Sequence, residues 1–174
     1  MLLDITMRIM ACCWVASYAS HANAQAQEIP SQSCESISGL YQFLGEDEDS
    51  APRRPSFTEV LFGPQVWSGK ATATELNYDA ASNSLHVRIR KENQDPDPDF
   101  SLKVTCEAGI IGFEDSKSGH GDGSSYEMKS IFRISKDVSN ALVVHKIYTV
   151  KSTNLLLFWK ERKGEMKIRF RPKE

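Results

Sequence analysis

The sequence lacks any apolar run long enough to form a membrane-spanning helix. Its longest apolar stretch, Ile9–Ala19, has eleven residues, whereas a transmembrane helix needs about 20. An excess of charge of one sign is missing too, since the formal net charge is −2. A chain so close to neutral has no general affinity for nucleic acid or for anionic membranes. The expected partners are therefore a small molecule or another protein.

Catalytic and metal-binding signatures are also scarce. The chain has no G-x-S-x-G motif and no C-x-x-C pair, so neither a nucleophile elbow nor a zinc ribbon is indicated. His120 lies in a glycine-rich stretch with Asp115 and Asp122 nearby. That spacing fits no calcium-binding loop, and the glycines are typical of a hairpin tip. We therefore predict no metal, no cofactor and no catalytic residue, whereas three polar residues converging in a cleft would instead favour an enzyme.

The N-terminal segment predicts export. Arg8 precedes the apolar stretch, and a polar segment with the small-x-small pattern Ala22-Asn23-Ala24 follows it. This order is typical of a secretory signal peptide, and a buried N-terminal helix is the alternative. We expect residues 1–24 to be removed and residues 25–36 to form a polar lead-in. The mature protein is then periplasmic or secreted.

The few cysteines predict one disulfide. Cys12 and Cys13 lie in the predicted signal peptide, which leaves Cys34 and Cys106 in the mature chain. Two cysteines in an oxidising compartment most simply form one disulfide. The chain-entropy model assigns about 4 kcal/mol to a crosslink that closes a loop of roughly seventy residues.

Apolar residues recur at every second position along most of the mature chain, which is typical of half-buried β-strands. The short connections between these segments favour antiparallel neighbours. The alternation places one set of side chains on the dry faces of their strands, namely Tyr41, Phe43, Leu76, Leu85, Val87, Phe100, Leu102, Val104, Phe132, Leu157, Ile168 and Phe170.

Three segments interrupt the strand pattern. Ser56–Glu59 has the form of a helix capping box, and Gly63 follows the apolar residues after it, which predicts one or two helical turns, with a short strand as the alternative. Ser116–Ser125 is rich in serine and glycine and predicts a loop. Lys163-Gly164 predicts a turn within the last basic segment.

The pattern as a whole predicts a mainly β domain over residues 37–174. Eight or nine short strands would form an antiparallel up-and-down meander that closes into a barrel, with a two-sheet sandwich as the alternative.

Residues 160–174 carry seven lysines or arginines against three glutamates. These cations would meet an acidic partner if they shared one face, or would protect a strand edge from aggregation.

Gly39-Leu40-Tyr41 resembles the G-x-W opening of the lipocalins, with tyrosine in place of tryptophan. The resemblance implies that Tyr41 packs beneath Arg169 or Arg171, and that a lipocalin-like cup binds a small apolar ligand. The late helix of that family is missing here, because Leu155–Arg171 has a strand pattern. The expected function is thus a non-enzymatic binding protein. The alternative is a protein-interaction module, such as an inhibitor of a secreted hydrolase or an envelope-assembly component. A cavity lined with apolar side chains would favour the binding protein, and a filled core with an exposed aromatic or charged loop would favour the interaction module.

Overall fold

The computed structural model describes residues 33–47, 54–63, 70–92, 98–121, 124–153 and 159–174. The predicted signal peptide and most of the polar lead-in lie outside these ranges. The elements in chain order are a 3-10 helix (Cys34–Ile37), β1 (Gly39–Gln42), β2 (Glu46–Asp47), α1 (Phe57–Phe62), β3 (Ala71–Asp79), β4 (Ser84–Lys91), β5 (Asp99–Lys103), β6 (Thr105–Glu107), β7 (Ile110–Gly121), β8 (Ser124–Lys136), β9 (Leu142–Thr153) and β10 (Trp159–Phe170).

The strands form two antiparallel sheets. The smaller sheet has the order β1-β3-β4-β5, and the larger sheet has the order β2-β10-β9-β8-β7-β6. From β3 to β5 and from β6 to β10, each strand pairs with the next one along the chain. The prediction of a mainly β, antiparallel meander is confirmed.

The predicted closed barrel is not found among the described strands, which agree with the two-sheet alternative. The chain passes between the sheets at two corners: Val104 alone separates β5 from β6, and Phe43–Gly45 separate β1 from β2. C-terminal residues add bonds at the second corner. The Gln42 N–H donates to the Arg171 carbonyl at 2.8 Å, and the Lys173 N–H donates to the Leu40 carbonyl at 2.9 Å. Alternation along a strand cannot reveal such corners, since it reports which face is dry and not which sheet the strand joins.

The space between the sheets is filled by side chains. Phe57 from α1 meets Phe170 edge-to-face at 5.1 Å between ring centroids, and Phe113 stacks on Phe132 at 4.5 Å. Of the side chains predicted to face inward, those that the structure describes lie in this core or pack against it. Leu157 lies outside the described residues.

Helix α1 confirms the prediction from the capping box. The Glu59 N–H donates to Ser56 Oγ at 3.1 Å, which satisfies one of the free amides at the helix start. Lysines from the larger sheet bind carbonyls near the other end: Lys146 Nζ donates to Val60 at 3.1 Å, and Lys117 Nζ donates to Phe62 at 2.5 Å. Both bonds fix the helix against the larger sheet.

The predicted disulfide is confirmed. Cys34 and Cys106 are bonded, with a Cα–Cα distance of 6.1 Å. The bond ties the 3-10 helix before β1, in which Cys34 and Ile37 are buried, to the short edge strand β6.

Two predicted interruptions are wrong. Ser116–Ser125 is largely strand, because β7 continues to Gly121 and β8 begins at Ser124. Lys163-Gly164 lies inside β10, where Gly164 is opposite Tyr148 of β9. Both segments lack an apolar side, so alternation gave no strand signal. Their strand conformation depends instead on backbone pairing with long neighbours.

Candidate functional site

The larger sheet is longer than the core it covers. Strands β7 to β10 have 12 or 13 residues, whereas the longest strand of the smaller sheet has 9. We call the part beyond the core the projecting half: residues 115–121 of β7, 124–130 of β8, 148–153 of β9 and 159–164 of β10. Among its side chains that the structure describes, only Ser130 at its base is buried.

One face of the projecting half continues the face that lines the core. Phe132 and Ile134 of β8 are fully buried, so the side chains at even positions of β8 point to this inner face. Pairing across the sheet places a set of residues on the inner face of the projecting half: Asp115, Lys117 and Gly119; Tyr126, Met128 and Ser130; Tyr148, Val150 and Ser152; and Lys160, Arg162 and Gly164.

Two tyrosines on the inner face lie across glycines of neighbouring strands. The Tyr126 ring covers Gly119 of β7, and the Tyr148 ring covers Gly164 of β10 so closely that a Cβ atom at either glycine would overlap the ring. Tyr126 nevertheless remains 46% exposed. The inner face therefore presents flat aromatic surface at a place where no described element covers it.

Cations outnumber carboxylates on this face. Lys117 lies 3.4 Å from Asp115, while Lys146 at the base is 8% exposed. Burial lowers the pKa of Lys146, and the charge of Lys117 lowers it further, although Asp115 opposes the shift. No carboxylate in the described part of the chain forms an ion pair with Lys160 or Arg162. These two cations are available to an anionic group from outside.

The opposite, outer face is closer to balance in charge, with three lysines and two glutamates in the projecting half. Glu127, Lys151 and Glu161 lie side by side on three adjacent strands, an order that favours cross-strand attraction. Closer to the core, Ile131 and Ile147 are paired across β8 and β9 with 44% and 36% of their surface exposed. The two faces of one sheet thus differ in character.

The residues predicted from the lipocalin resemblance, Tyr41 and Arg169 or Arg171, lie outside the projecting half. Tyr41 is buried, and its hydroxyl donates to the Ile37 carbonyl at 2.7 Å. Burial raises the pKa of Tyr41 to about 12. The cation over its ring is Lys136, 5.7 Å from the centroid, whereas Arg169 binds Asp137 and Ser139.

The basic residues near the C-terminus do not share a face. Lys160 and Arg162 point to the inner face, while Lys163 and Lys167 point to the outer face. Further along, Arg171 pairs with Glu46 at 3.0 Å. The structure therefore divides a run of charge that the sequence presents as one cluster.

The histidines form no metal site in the described ranges, where no group of three or more His, Cys, Asp and Glu side chains is positioned to hold an ion. Asp115 lies on the inner face of β7 and His120 on the outer face, because their positions differ in parity. Asp122 lies outside the described residues. His145 is 2.7 Å from Glu165 on the outer face.

None of the helices in the described part is long and apolar enough to cross a membrane.

Comparisons with protein-family models, with curated proteins and with solved structures give no match. The inner face of the projecting half is therefore judged on its own geometry. Reasoning from sequence missed Tyr148, Lys160 and Arg162 as a surface group. A signal was present in β8, since the alternation through Phe132 and Ile134 extends back to Tyr126.

Proposed function

We propose that the protein is an exported, non-enzymatic protein-interaction module whose recognition surface is the inner face of the projecting half. The observation that carries this proposal is the exposure of Tyr126 on a face that also carries Lys160 and Arg162, two cations without an ionic partner in the described part of the chain, on a sheet that extends past its own core. Tyrosine and arginine are the residues most often found at the energetic centres of protein interfaces.

The filled core supports this function over the binding of a small apolar ligand. The aromatic side chains between the sheets leave the larger clefts on the surface. A cleft of about 500 Å³ has Glu127, Lys151, Lys160 and Glu161 among its lining residues, and one of about 470 Å³ is lined by Val104, Phe113, Ile131 and Phe132 with their neighbours. Both clefts are open to solvent, whereas a small apolar ligand is usually held in a pocket that buries most of its surface. A kinship with lipocalins draws support from the meander and from the bonds that C-terminal residues make with β1. Ligand binding of the lipocalin kind would need an apolar cup.

Export is part of the same proposal. The disulfide is compatible with an oxidising compartment outside the cytosol, and the segment before it has the order of a signal peptide. N-terminal sequencing of the protein from its own cells should return Gln25, or Gln27 if cleavage instead follows the small-x-small pattern Ala24-Gln25-Ala26. An intact N-terminus on a cytoplasmic product would contradict export.

Site-specific photocrosslinking tests the recognition surface. A photoreactive phenylalanine analogue would replace Tyr126 in the full-length protein expressed in its own cells. The same analogue at Asn77, an exposed position of β3 in the smaller sheet, is the matched control. We expect a discrete adduct with one other protein at position 126 and none at position 77. Equal labelling at both positions, or no protein adduct at 126, would contradict the proposal.

Native mass spectrometry of the purified protein distinguishes the proposed interaction module from a protein that binds a small molecule. A retained small molecule that survives desalting, combined with the absence of a protein adduct at position 126, would support a ligand-binding protein instead. The adduct's identity would distinguish a hydrolase inhibitor from an assembly component.

A further inference from the structure

Among the strands that the structure describes, β7 has an open edge along most of its length. β6 pairs with β7 only between Ile110 and Gly112, and no other described strand pairs with β7 on that side. Residues Phe113–Gly121 therefore face the surroundings with one side of their backbone. An unprotected edge of this kind is a template for pairing with another strand.

The direction of the free backbone groups follows from the β6–β7 hairpin. Glu107 and Ile110 flank the two-residue turn Ala108-Gly109, so they form a hydrogen-bonded pair whose N–H and C=O groups point at each other. Backbone groups alternate in direction along a strand, so those of Gly112 also point towards β6. The Thr105 hydroxyl, which donates to the Gly112 carbonyl at 3.1 Å, agrees with this. By the same alternation, Glu114, Ser116, Ser118 and His120 point their N–H and C=O groups outward.

Basic side chains protect the edge of β10, in contrast to the edge of β7. β2 pairs with β10 only at Ile168 and Arg169, and the rest of that edge carries Lys160, Arg162, Lys163 and Lys167. Lysines along an edge are a common defence against strand pairing. The outer part of β7, from Ser116 to Gly121, carries small side chains and a single lysine, so it lacks that defence.

We propose that β7 pairs with β7 of a second copy of this chain, antiparallel, with Ser118 on the two-fold axis. Most homodimers have two-fold symmetry, in which the same surface of each copy meets its counterpart. Across such an axis, β7 would pair with β7. Charge and space limit the register. With Lys117 on the axis, two lysines would lie opposite each other, which is unfavourable. With Ser118 on the axis, Gly121 of the second copy lies opposite Asp115, and Gly112 remains paired with β6.

This register matches the free groups as well. Ser116 lies opposite His120 of the second copy, Ser118 opposite Ser118, and His120 opposite Ser116. All three pairs join residues whose backbone groups point outward, so each pair exchanges two hydrogen bonds. Lys117 lies opposite Gly119, so no like charges oppose each other between Ser116 and His120. The dimer would leave the inner face of each projecting half free, and it does not depend on the proposed recognition of another protein.

Cysteine crosslinking tests the register. The Cα atoms of a hydrogen-bonded antiparallel pair are about 5.5 Å apart, within the range of about 4.4–6.8 Å that a disulfide spans. Mild oxidation of Ser118→Cys should therefore give a covalent dimer linked through position 118. In Ser116→Cys, the matched control, the two introduced cysteines would lie about four residues apart along the strands, or roughly 14 Å, and should not crosslink. No dimer from Ser118→Cys, or equal crosslinking of both variants, would overturn the proposal.

Sedimentation of uncrosslinked protein tests the hydrogen bonds. Ser118→Pro removes an N–H that points away from β8 and faces no other described strand of the same chain, so the fold should keep its circular dichroism spectrum and melting temperature. We expect wild type and Ser118→Ala to dimerise with rising concentration and Ser118→Pro to remain a monomer over the same range. A folded Ser118→Pro that dimerises like wild type, or a wild type that stays monomeric at every concentration, would contradict pairing through β7.

Discussion

The two halves of the larger sheet share their strands but not their surroundings. In β8, Phe132 and Ile134 are fully buried against the smaller sheet, whereas Tyr126 on the same face is 46% exposed. The ladder of pairs between β8 and β9 runs without a break from Lys136 to Ser125. Strand structure therefore continues where the core ends. The part of the larger sheet that packs on the smaller sheet, which we call the cored half, supplies stability, and the projecting half is free to present side chains to a partner.

The largest expected difference between the halves comes from truncating one side chain in each. Phe132→Ala removes a fully buried ring that stacks on Phe113, and it should lower the free energy of unfolding by about 3–5 kcal/mol. Met128→Ala, on the same face of the same strand, removes a partly exposed side chain and should cost about 1 kcal/mol or less. Urea denaturation of both variants measures the difference. Equal losses would mean that the projecting half is covered in solution.

The disulfide belongs to the cored half, and its removal should have the next largest effect. Replacing Cys34 and Cys106 together with serine should lower the free energy of unfolding by about 2–4 kcal/mol. The loss should reduce the melting temperature without affecting the crosslink at position 126 below that temperature. A crosslink lost in a folded double variant would show that the two halves are coupled.

Two glycines, Gly45 and Gly119, allow the space for an added Cβ atom to be compared between the two halves. A Cβ atom at Gly45 would overlap Ile168 and Phe170, which are fully buried and cannot move aside. Gly45→Ala should therefore cost about 1–3 kcal/mol. A Cβ atom at Gly119 would overlap the Tyr126 ring, but that ring can swing into solvent, so Gly119→Ala should cost below about 0.5 kcal/mol. Thermal unfolding ranks the two, and the reverse order would refute the comparison.

A small effect at neutral pH is expected for Tyr41→Phe, which removes the hydroxyl bonded to the Ile37 carbonyl and should cost about 1 kcal/mol. Its pH dependence is more informative. Burial raises the pKa of Tyr41 to about 12 in the folded protein, above an ordinary value of about 10 in the unfolded chain. The folded state then holds the proton more tightly, so this stabilisation is complete below pH 10 and is lost as the pH rises towards 12.

Comparing wild type with Tyr41→Phe isolates the stabilisation that is lost when Tyr41 ionises. Lys146 has a lowered pKa and contributes in the opposite direction below its ordinary value, but wild type and Tyr41→Phe share this contribution. The difference in unfolding free energy between the two proteins should therefore shrink between pH 10 and 12. A constant difference would mean that the Tyr41 hydroxyl is accessible to solvent.

Sequence reasoning succeeded where a core imposes a pattern. Leu85 and Val87 alternate with polar neighbours because one side of β4 is dry, and Ser56 begins α1 because its hydroxyl accepts from the Glu59 amide. The disulfide followed from the number of cysteines and the expected compartment. Each of these features depends on chemistry local to a few residues.

The projecting half was not predictable in the same way. Ser116 and Ser118 have no apolar side to mark a strand, and Gly164 has the composition of a turn. Their conformation depends on neighbours distant in sequence, such as Tyr148 across from Gly164. For the same reason, the sequence could not choose between a closed barrel and two sheets, because the change of sheet at Val104 leaves no mark on the alternation.

Amide hydrogen exchange along β8 tests the division into two halves most directly. The amides of Phe132 and Ile134 should exchange only through global unfolding, since both residues are fully buried. Those of Tyr126 and Met128 should exchange through local opening, at least about a hundredfold faster after correction for intrinsic rates. Uniform protection from Ser125 to Lys136 would contradict the account, because it would show that the projecting half is as well covered as the core.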